Sequence, residues 1–301
     1  MNIEEVADKD PFHRFVYWIK ERHKIYLKKE RVVPITFNAK KPWTDDEVLQ
    51  SYFFTNPYRE NDKVTAWFRN SIRDPLKAGD QVVFATIAFR WFNYIPTGEF
   101  LNRYKYFTKW NTDTVCKLLM ARRAKGEKVF TGAFTISPAG STLPKIERVC
   151  YDFINPVWED RVRLVGALKE CTTLQDALEQ LQQYPGLGGG GFMAGQVIAD
   201  LKHTRMLRNA SDWASWCILG PGAIRGLNRL LGRPTKGPKP TDWQGQMLKL
   251  QARTNRLLRV QPAKTNGGIL CMQGIQHCLC EYDKYERARL GEGHMKRKYN
   301  G

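Results

Sequence analysis

A chain of 301 residues with 48 Lys and Arg against 30 Asp and Glu carries a formal charge of +18, and 42% of it is apolar. Such a length buries a substantial core, the apolar fraction excludes a disordered polymer, and the charge calls for a polyanionic partner, most commonly nucleic acid. There is no apolar run long enough to span a bilayer and no secretory leader, and the basic residues collect on no amphipathic anchor. The expectation is therefore a cytoplasmic protein without a membrane partner. Seven cysteines without regular spacing fit a reducing compartment better than a disulfide framework.

Taken in order, residues 12–29 read as a helix with Phe15, Trp18, Ile19 and Tyr26 on one side and a basic opposite face. Thr44 and Glu47 form a capping-box pattern that starts a helix carrying Val48, Leu49, Tyr52 and Phe53. Asn56 or Thr55 caps a further helix from Pro57, whose first turns crowd Arg59, Glu60, Asp62 and Lys63. Residues 80–94 are an apolar core helix and 112–125 another. The stretch 129–136 is β-rich in composition and reads as a short strand or an extended loop. Helices near 156–169 and 173–183 follow. Residues 232–241 and the two ends read as poorly ordered. Later helices lie near 243–258 and 275–287, and the class is all-α with at most a minor β element.

The most informative stretch joins the helix at 173–183 to a second apolar-periodic segment beginning near Phe192. Tyr184-Pro185-Gly186-Leu187-Gly188, followed by Gly189, Gly190 and Gly191, reads as the turn of a helix-hairpin-helix. Such a turn presents backbone N–H groups at a helix N-terminus, where unpaired donors and the helix dipole attract a phosphate. The alternative is a flexible glycine linker.

Several chemistries lack their residues. The 301 residues contain no G-x-x-x-x-G-K-[ST] phosphate loop and no C-x-x-C pair. His277, Cys278 and Cys280 are spaced one and two apart, so they do not converge on one ion from a helix. No metal and no cofactor is expected.

From about Leu174 to Gly232 the chain resembles the helix-hairpin-helix DNA glycosylase superfamily, whose L-P-G-[IV]-G turn matches residues 184–188. The superfamily's catalytic aspartate corresponds to Asp212, which precedes Leu227-Asn-Arg-Leu-Leu-Gly232. Two departures stand out: the extra glycines lengthen the turn, and no lysine occupies Gly191 to Ala194, where bifunctional members carry their Schiff base. Over its whole length the chain is similar to a helical family of thymine hypermodification in phage DNA. That family takes in amino acid:DNA transferases (α-glutamyl/putrescinyl thymine pyrophosphorylases) and the helical domains associated with 5-hydroxymethyluracil DNA kinases. The matching segments are Trp18-Ile-Lys-Glu-Arg-His, Lys41-Pro-Trp-Thr-Asp-Asp, Phe54-Thr-Asn-Pro-Tyr-Arg-Glu, Lys128-Val-Phe-Thr-Gly-Ala-Phe and Glu281-Tyr-Asp-Lys-Tyr-Glu-Arg.

The resemblance implies one glycosylase-like helical domain over 1–301, two lobes around a cleft, with residues 173–232 as hairpin and catalytic-aspartate segment. It implies DNA as substrate and an amine or amino acid that displaces phosphate from a flipped 5-(phosphomethyl)uracil. Arg59, Lys284 and Arg287 are candidates to hold phosphate or DNA, and Asp212, Glu60 and Asp283 to accept the amine's proton. Tyr58, Trp213 and Tyr282 are candidates to stack on the base, and Gly186, Gly188, Gly189, Gly190 and Gly191 to contact the DNA strand. Each has a structural alternative: Asp212 caps a helix, the tyrosines sit in the core, and Arg59/Asp62 and Asp283/Arg287 are ordinary helical pairs. Three functions stay open: a base-modifying transferase, a glycosylase excising a modified pyrimidine, and a non-catalytic DNA-binding partner of a 5-hydroxymethyluracil DNA kinase.

Overall fold

A computed structural model describes residues 10–32, 43–132, 136–258 and 270–293. Among these the secondary structure is helical throughout, with no strand. In chain order the principal helices are α1 (Pro11–Val32), α2 (Glu47–Ser51), α3 (Lys63–Phe68), α4 (Gln81–Phe92), α5 (Ile95–Arg103), α6 (Thr112–Ala124), α7 (Asn155–Glu159), α8 (Arg161–Glu170), α9 (Leu174–Leu181), α10 (Phe192–Leu201), α11 (Pro221–Leu230), α12 (Trp243–Leu257) and α13 (Met272–Arg289). Two π-helical turns, Arg69–Arg73 and Arg148–Ile154, follow α3 and precede α7.

The chain divides into two compact units. One joins residues 1–62 to 219–301, so both ends of the chain build it; the other is continuous from Lys63 to Ile218. The stretch 173–232 is therefore shared out between them at Ile218 and Leu219.

In the continuous unit α4 is buried from Val82 to Phe92, as a helix apolar on all sides must be. It packs on α10, whose inward residues run from Ala194 to Leu201. Phe68, Phe89, Trp91, Phe153, Leu181 and Leu187 fill the space around them, each worth about 1.5–3 kcal/mol when buried. One charged group is carried inside: Arg90, 2% exposed, binds Asp200 of α10 and also reaches Asn93 and Thr65.

In the other unit α13 is the central helix. Its buried face of Ile275, Cys278, Leu279, Tyr282 and Tyr285 meets α1, α2, α11 and α12. Helix α11 approaches closely because Gly226 faces it: a Cβ there would sit 2.3 Å from the Leu279 carbonyl oxygen.

Some expectations need correcting. Helix α2 is capped by Asp46, whose carboxylate accepts the Leu49 N–H at 3.0 Å, and not by Thr44. The Thr44 hydroxyl instead donates to Glu21 and accepts the Asp46 N–H. Asn56 accepts the Tyr58 N–H, but the turn that follows is a short 3-10 helix, Arg59–Asn61. The helix expected near 156–169 is interrupted at Asp160, where α7 stops and α8 starts. Residues 232–241 form described turns, and the described part of 129–136 carries no strand. Lys41, Pro42, Ala133, Phe134 and the basic tail beyond 293 lie outside the described residues.

Candidate functional site

Within the unit built from the two ends, the segment around Thr55-Asn56-Pro57-Tyr58-Arg59-Glu60 runs alongside α13. His277 and Glu281, one turn apart on that helix, meet it: Thr55 Oγ1 lies 2.7 Å from His277 Nε2, and the Thr55 N–H donates to Glu281 Oε2 at 2.9 Å. Arg59 and Asp62 are near enough to act on the imidazole's charge. Burial is the largest influence on His277 and lowers its pKa, with Arg59 acting in the same sense and Glu281 and Asp62 opposing it. The outcome is an imidazole held neutral near pH 7, bonded to a hydroxyl and flanked by a carboxylate and a guanidinium. Lys284 completes the group; its ammonium donates to the Phe53 carbonyl, stands 4.6 Å over the Phe54 ring and pairs with Glu281 at 3.7 Å.

Of the residues expected at a site, this arrangement brings together Arg59, Lys284 and the neighbourhood of Glu60, which is itself buried. His277 and Glu281 were missed as functional residues. Their signal in the sequence is the i, i+4 spacing on a helix, which puts both on one face. Tyr58 and Tyr282 are core residues: Tyr58 packs edge-on to His23, and Tyr282 donates to the Pro11 carbonyl with its ring against Phe15. Neither has a face open to a base. Asp283 is also enclosed, its carboxylate fully buried and held by Arg225, Arg229 and Arg287, so it offers a substrate no open oxygen.

The remaining candidates lie in the continuous unit. Helix, glycine turn and helix follow one another as expected, with α9 ending at Leu181 and α10 starting at Phe192. Gly186, Gly189 and Gly191 adopt φ values of 77°, 63° and 70°, the left-handed region that side chains disfavour. Gly191, the residue before α10, has no side chain with which to cap the helix. Gly189 and Gly190 are exposed and, with Gly186, Gly188, Trp91 and Phe192, border a cavity of about 660 Å³. Gly186 has a packing reason as well: a Cβ would lie 2.7 Å from the Trp91 ring.

Asp212 is placed at the opposite end of α9. Its two oxygens accept the N–H groups of Leu174 at 2.6 Å and Gln175 at 3.2 Å. Thr173 and Asp176 close a capping box on the same turn. Both acceptor atoms of Asp212 are thus engaged in capping, and α9's eight residues separate it from the glycine turn by roughly 12 Å of helix. Trp213 beside it donates to the Lys202 carbonyl, with the Lys202 ammonium 3.8 Å over its ring.

No helix among the described residues is long and apolar enough to cross a membrane. A family model described as "5-hmdU DNA kinase, helical domain" matches residues 9–295. A 5-hmdU DNA kinase of Bacillus phage SP10 is 26% identical over 206 residues, which are 62% of this chain and 32% of the phage protein. The chain thus matches about a third of that relative's length. No solved structure matches.

Proposed function

Because the chain belongs to the family of the 5-hmdU DNA kinase helical domain, we propose that it works in thymine hypermodification, on DNA carrying a 5-substituted uracil. The reaction is replacement of the phosphate of a flipped 5-(phosphomethyl)uracil by an amine or amino acid. The observation that carries this reading is the His277 cluster. A neutral imidazole beside a carboxylate suits proton removal from an attacking amine. The amine nitrogen bonds to the exocyclic methylene carbon, the carbon–oxygen bond breaks, and phosphate leaves with the electron pair. The ammonium proton passes to His277 Nε2 through the Thr55 hydroxyl bonded there, and the Glu281 charge offsets that of the imidazolium formed. Arg59 and Lys284 balance the charge on the departing phosphate. The charge of +18 and the glycine turn serve to hold the DNA strand.

The test is incubation of 5-(phosphomethyl)uracil DNA with glycine, glutamate or putrescine, followed by nucleoside mass spectrometry. An aminated nucleoside is expected, and His277→Gln should reduce its rate by a hundredfold or more. As His277 serves as a base, the rate falls with pH through a pKa below the ordinary histidine value. An unaltered nucleoside with every donor rejects the transferase.

A second reading has one specific observation behind it. The matching family model describes a domain of a kinase, while these 301 residues hold no phosphate loop. The chain would then bind the DNA for a separate 5-hydroxymethyluracil DNA kinase. In that case His277→Gln leaves kinase-dependent phosphorylation of the base intact, whereas charge reversal of basic residues abolishes it. The glycosylase alternative loses its support, since it relied on Asp212 and both oxygens of that residue cap α9.

A further inference from the structure

Helices α11 and α13 bring three arginines onto one carboxylate. Asp283 has no exposed side-chain surface; Arg225 Nε donates to its Oδ2 at 2.9 Å, Arg229 to its Oδ1 at 3.4 Å, and Arg287 Nε lies 3.4 Å from Oδ2. The close approach that allows this comes from two glycines one turn apart. A Cβ on Gly222 would meet Cys280 Sγ at 2.4 Å, and one on Gly226 the Leu279 carbonyl. Arg225 and Arg229 share one face of α11, as Asp283 and Arg287 share one face of α13.

The charges do not balance. Among the described residues Glu292 is the other carboxylate paired at the site and takes Arg229 at 2.7 Å, leaving three guanidiniums against two acids. On the neighbouring face of α13, Glu286 is already paired with Arg14 and Arg289. Arg225 and Arg287 remain 37% and 33% exposed, and their terminal nitrogens bond no acceptor among the described residues. The Nε atom of Arg287 is buried without a hydrogen bond. A guanidinium whose inner edge is fixed by a buried carboxylate presents its outer edge with little rotamer entropy left to lose. Arg225 is held in this way by a hydrogen bond and Arg287 by charge, both against the same Asp283 oxygen, and two guanidiniums so gathered suit the oxygens of one phosphate.

We propose that Arg225 and Arg287 form a phosphate-group site, with Asp283 as the positioning residue and Arg229 adding charge behind them. The ligand is a phosphate either in a DNA strand or free, as inorganic phosphate or pyrophosphate. The site stands on this geometry alone and does not require the transferase reading, so a protein that yields no aminated nucleoside can still possess it.

The first experiment uses the unaltered chain. Phenylglyoxal labels exposed arginines, and peptide mass spectrometry reads each position with and without pyrophosphate or a DNA duplex. Protection of Arg225 and Arg287, with exposed Arg208 still labelled, is the expected result. The second experiment compares the wild type with Arg225→Gln/Arg287→Gln. Pyrophosphate affinity by calorimetry should drop at least tenfold if the free anion is the ligand. If the ligand is the DNA strand, duplex affinity by fluorescence anisotropy should drop and its log–log salt slope flatten by about one, the share of a single phosphate. Equal labelling of both arginines in every condition, with unchanged binding of both probes by the double variant, overturns the site. The labelling arm holds even if the double variant does not fold.

Discussion

Arg90 and Asp200 are joined by a two-point contact, Nε to Oδ2 at 2.5 Å and a terminal nitrogen to Oδ1 at 2.7 Å, between the two most buried helices of their unit. Neither side chain has more than 2% exposure. A buried pair of this kind contributes little over an apolar pair of the same volume, but leaving one partner alone is costly. Asp200→Ala should lower the unfolding free energy by about 3–5 kcal/mol in urea denaturation, since Arg90 and the nearby Arg73 lose their carboxylate. Arg90→Met combined with Asp200→Leu should restore most of that loss. A cost of the single change below about 1 kcal/mol would mean that the charges are hydrated in solution.

For Asp212 the prediction separates two roles. The carboxylate satisfies two N–H groups of α9 that no other group reaches in the described structure. Asp212→Ala should therefore cost about 1–2 kcal/mol, the usual range for a lost N-cap acceptor. Product formed per folded molecule in the nucleoside assay should not change. A hundredfold loss of turnover at unchanged stability would return Asp212 to the catalytic role that the glycosylase resemblance assigns it.

Which features the sequence discloses depends on how far apart the interacting residues are. Helix α4 is legible because residues 81–92 are an almost unbroken apolar run with aromatics at helical spacing. The start of α10 at Phe192 is legible because glycines halt one helix and an apolar repeat begins another. The Asp46 cap is hidden by a local ambiguity, since Thr44 and Asp46 both suit the position and only the fold commits Thr44 to Glu21. Asp212 is harder still: its capped turn lies 38 residues upstream, a distance at which capping patterns carry no signal. The His277 cluster is the extreme case. The residues that define its chemistry, Thr55 and His277, are 222 positions apart, and only tertiary packing makes them neighbours.

The glycine turn offers a contrast between positions with and without a packing constraint. At Gly186 the backbone is left-handed and a Cβ would lie 2.7 Å from Trp91, so Gly186→Ala should destabilise the unit by more than about 1 kcal/mol. Gly190 has neither constraint: its φ is ordinary and nothing lies within 4 Å of a Cβ. Gly190→Ala should leave stability unchanged or raise it by a few tenths of a kcal/mol, through the unfolded chain. If the turn holds a DNA phosphate through its backbone, the added methyl still weakens duplex binding in a fluorescence titration. Unchanged binding by Gly190→Ala would remove the turn from the DNA contact.

His23 makes stability depend on pH in a direction the geometry fixes. The ring lies between Tyr26 and Tyr58, 7% exposed, and neither nitrogen has a hydrogen-bond partner among the described residues. Burial, with a smaller contribution from Arg22, lowers its pKa to about 4 from 6.5. The folded state thus favours the neutral ring, and below pH 6.5 the unfolded chain takes up a proton that the folded chain refuses. Stability from this group is complete above about 6.5, declines as pH falls, and is gone once pH passes below about 4. His23→Phe keeps an aromatic ring in the same slot and cannot be protonated. Carboxylates lower the stability of both proteins in acid, so the informative quantity is the difference between their melting curves. That difference should widen in favour of His23→Phe between pH 6.5 and 4 and stay constant above pH 7; parallel curves over the whole range would show that the imidazole is solvated.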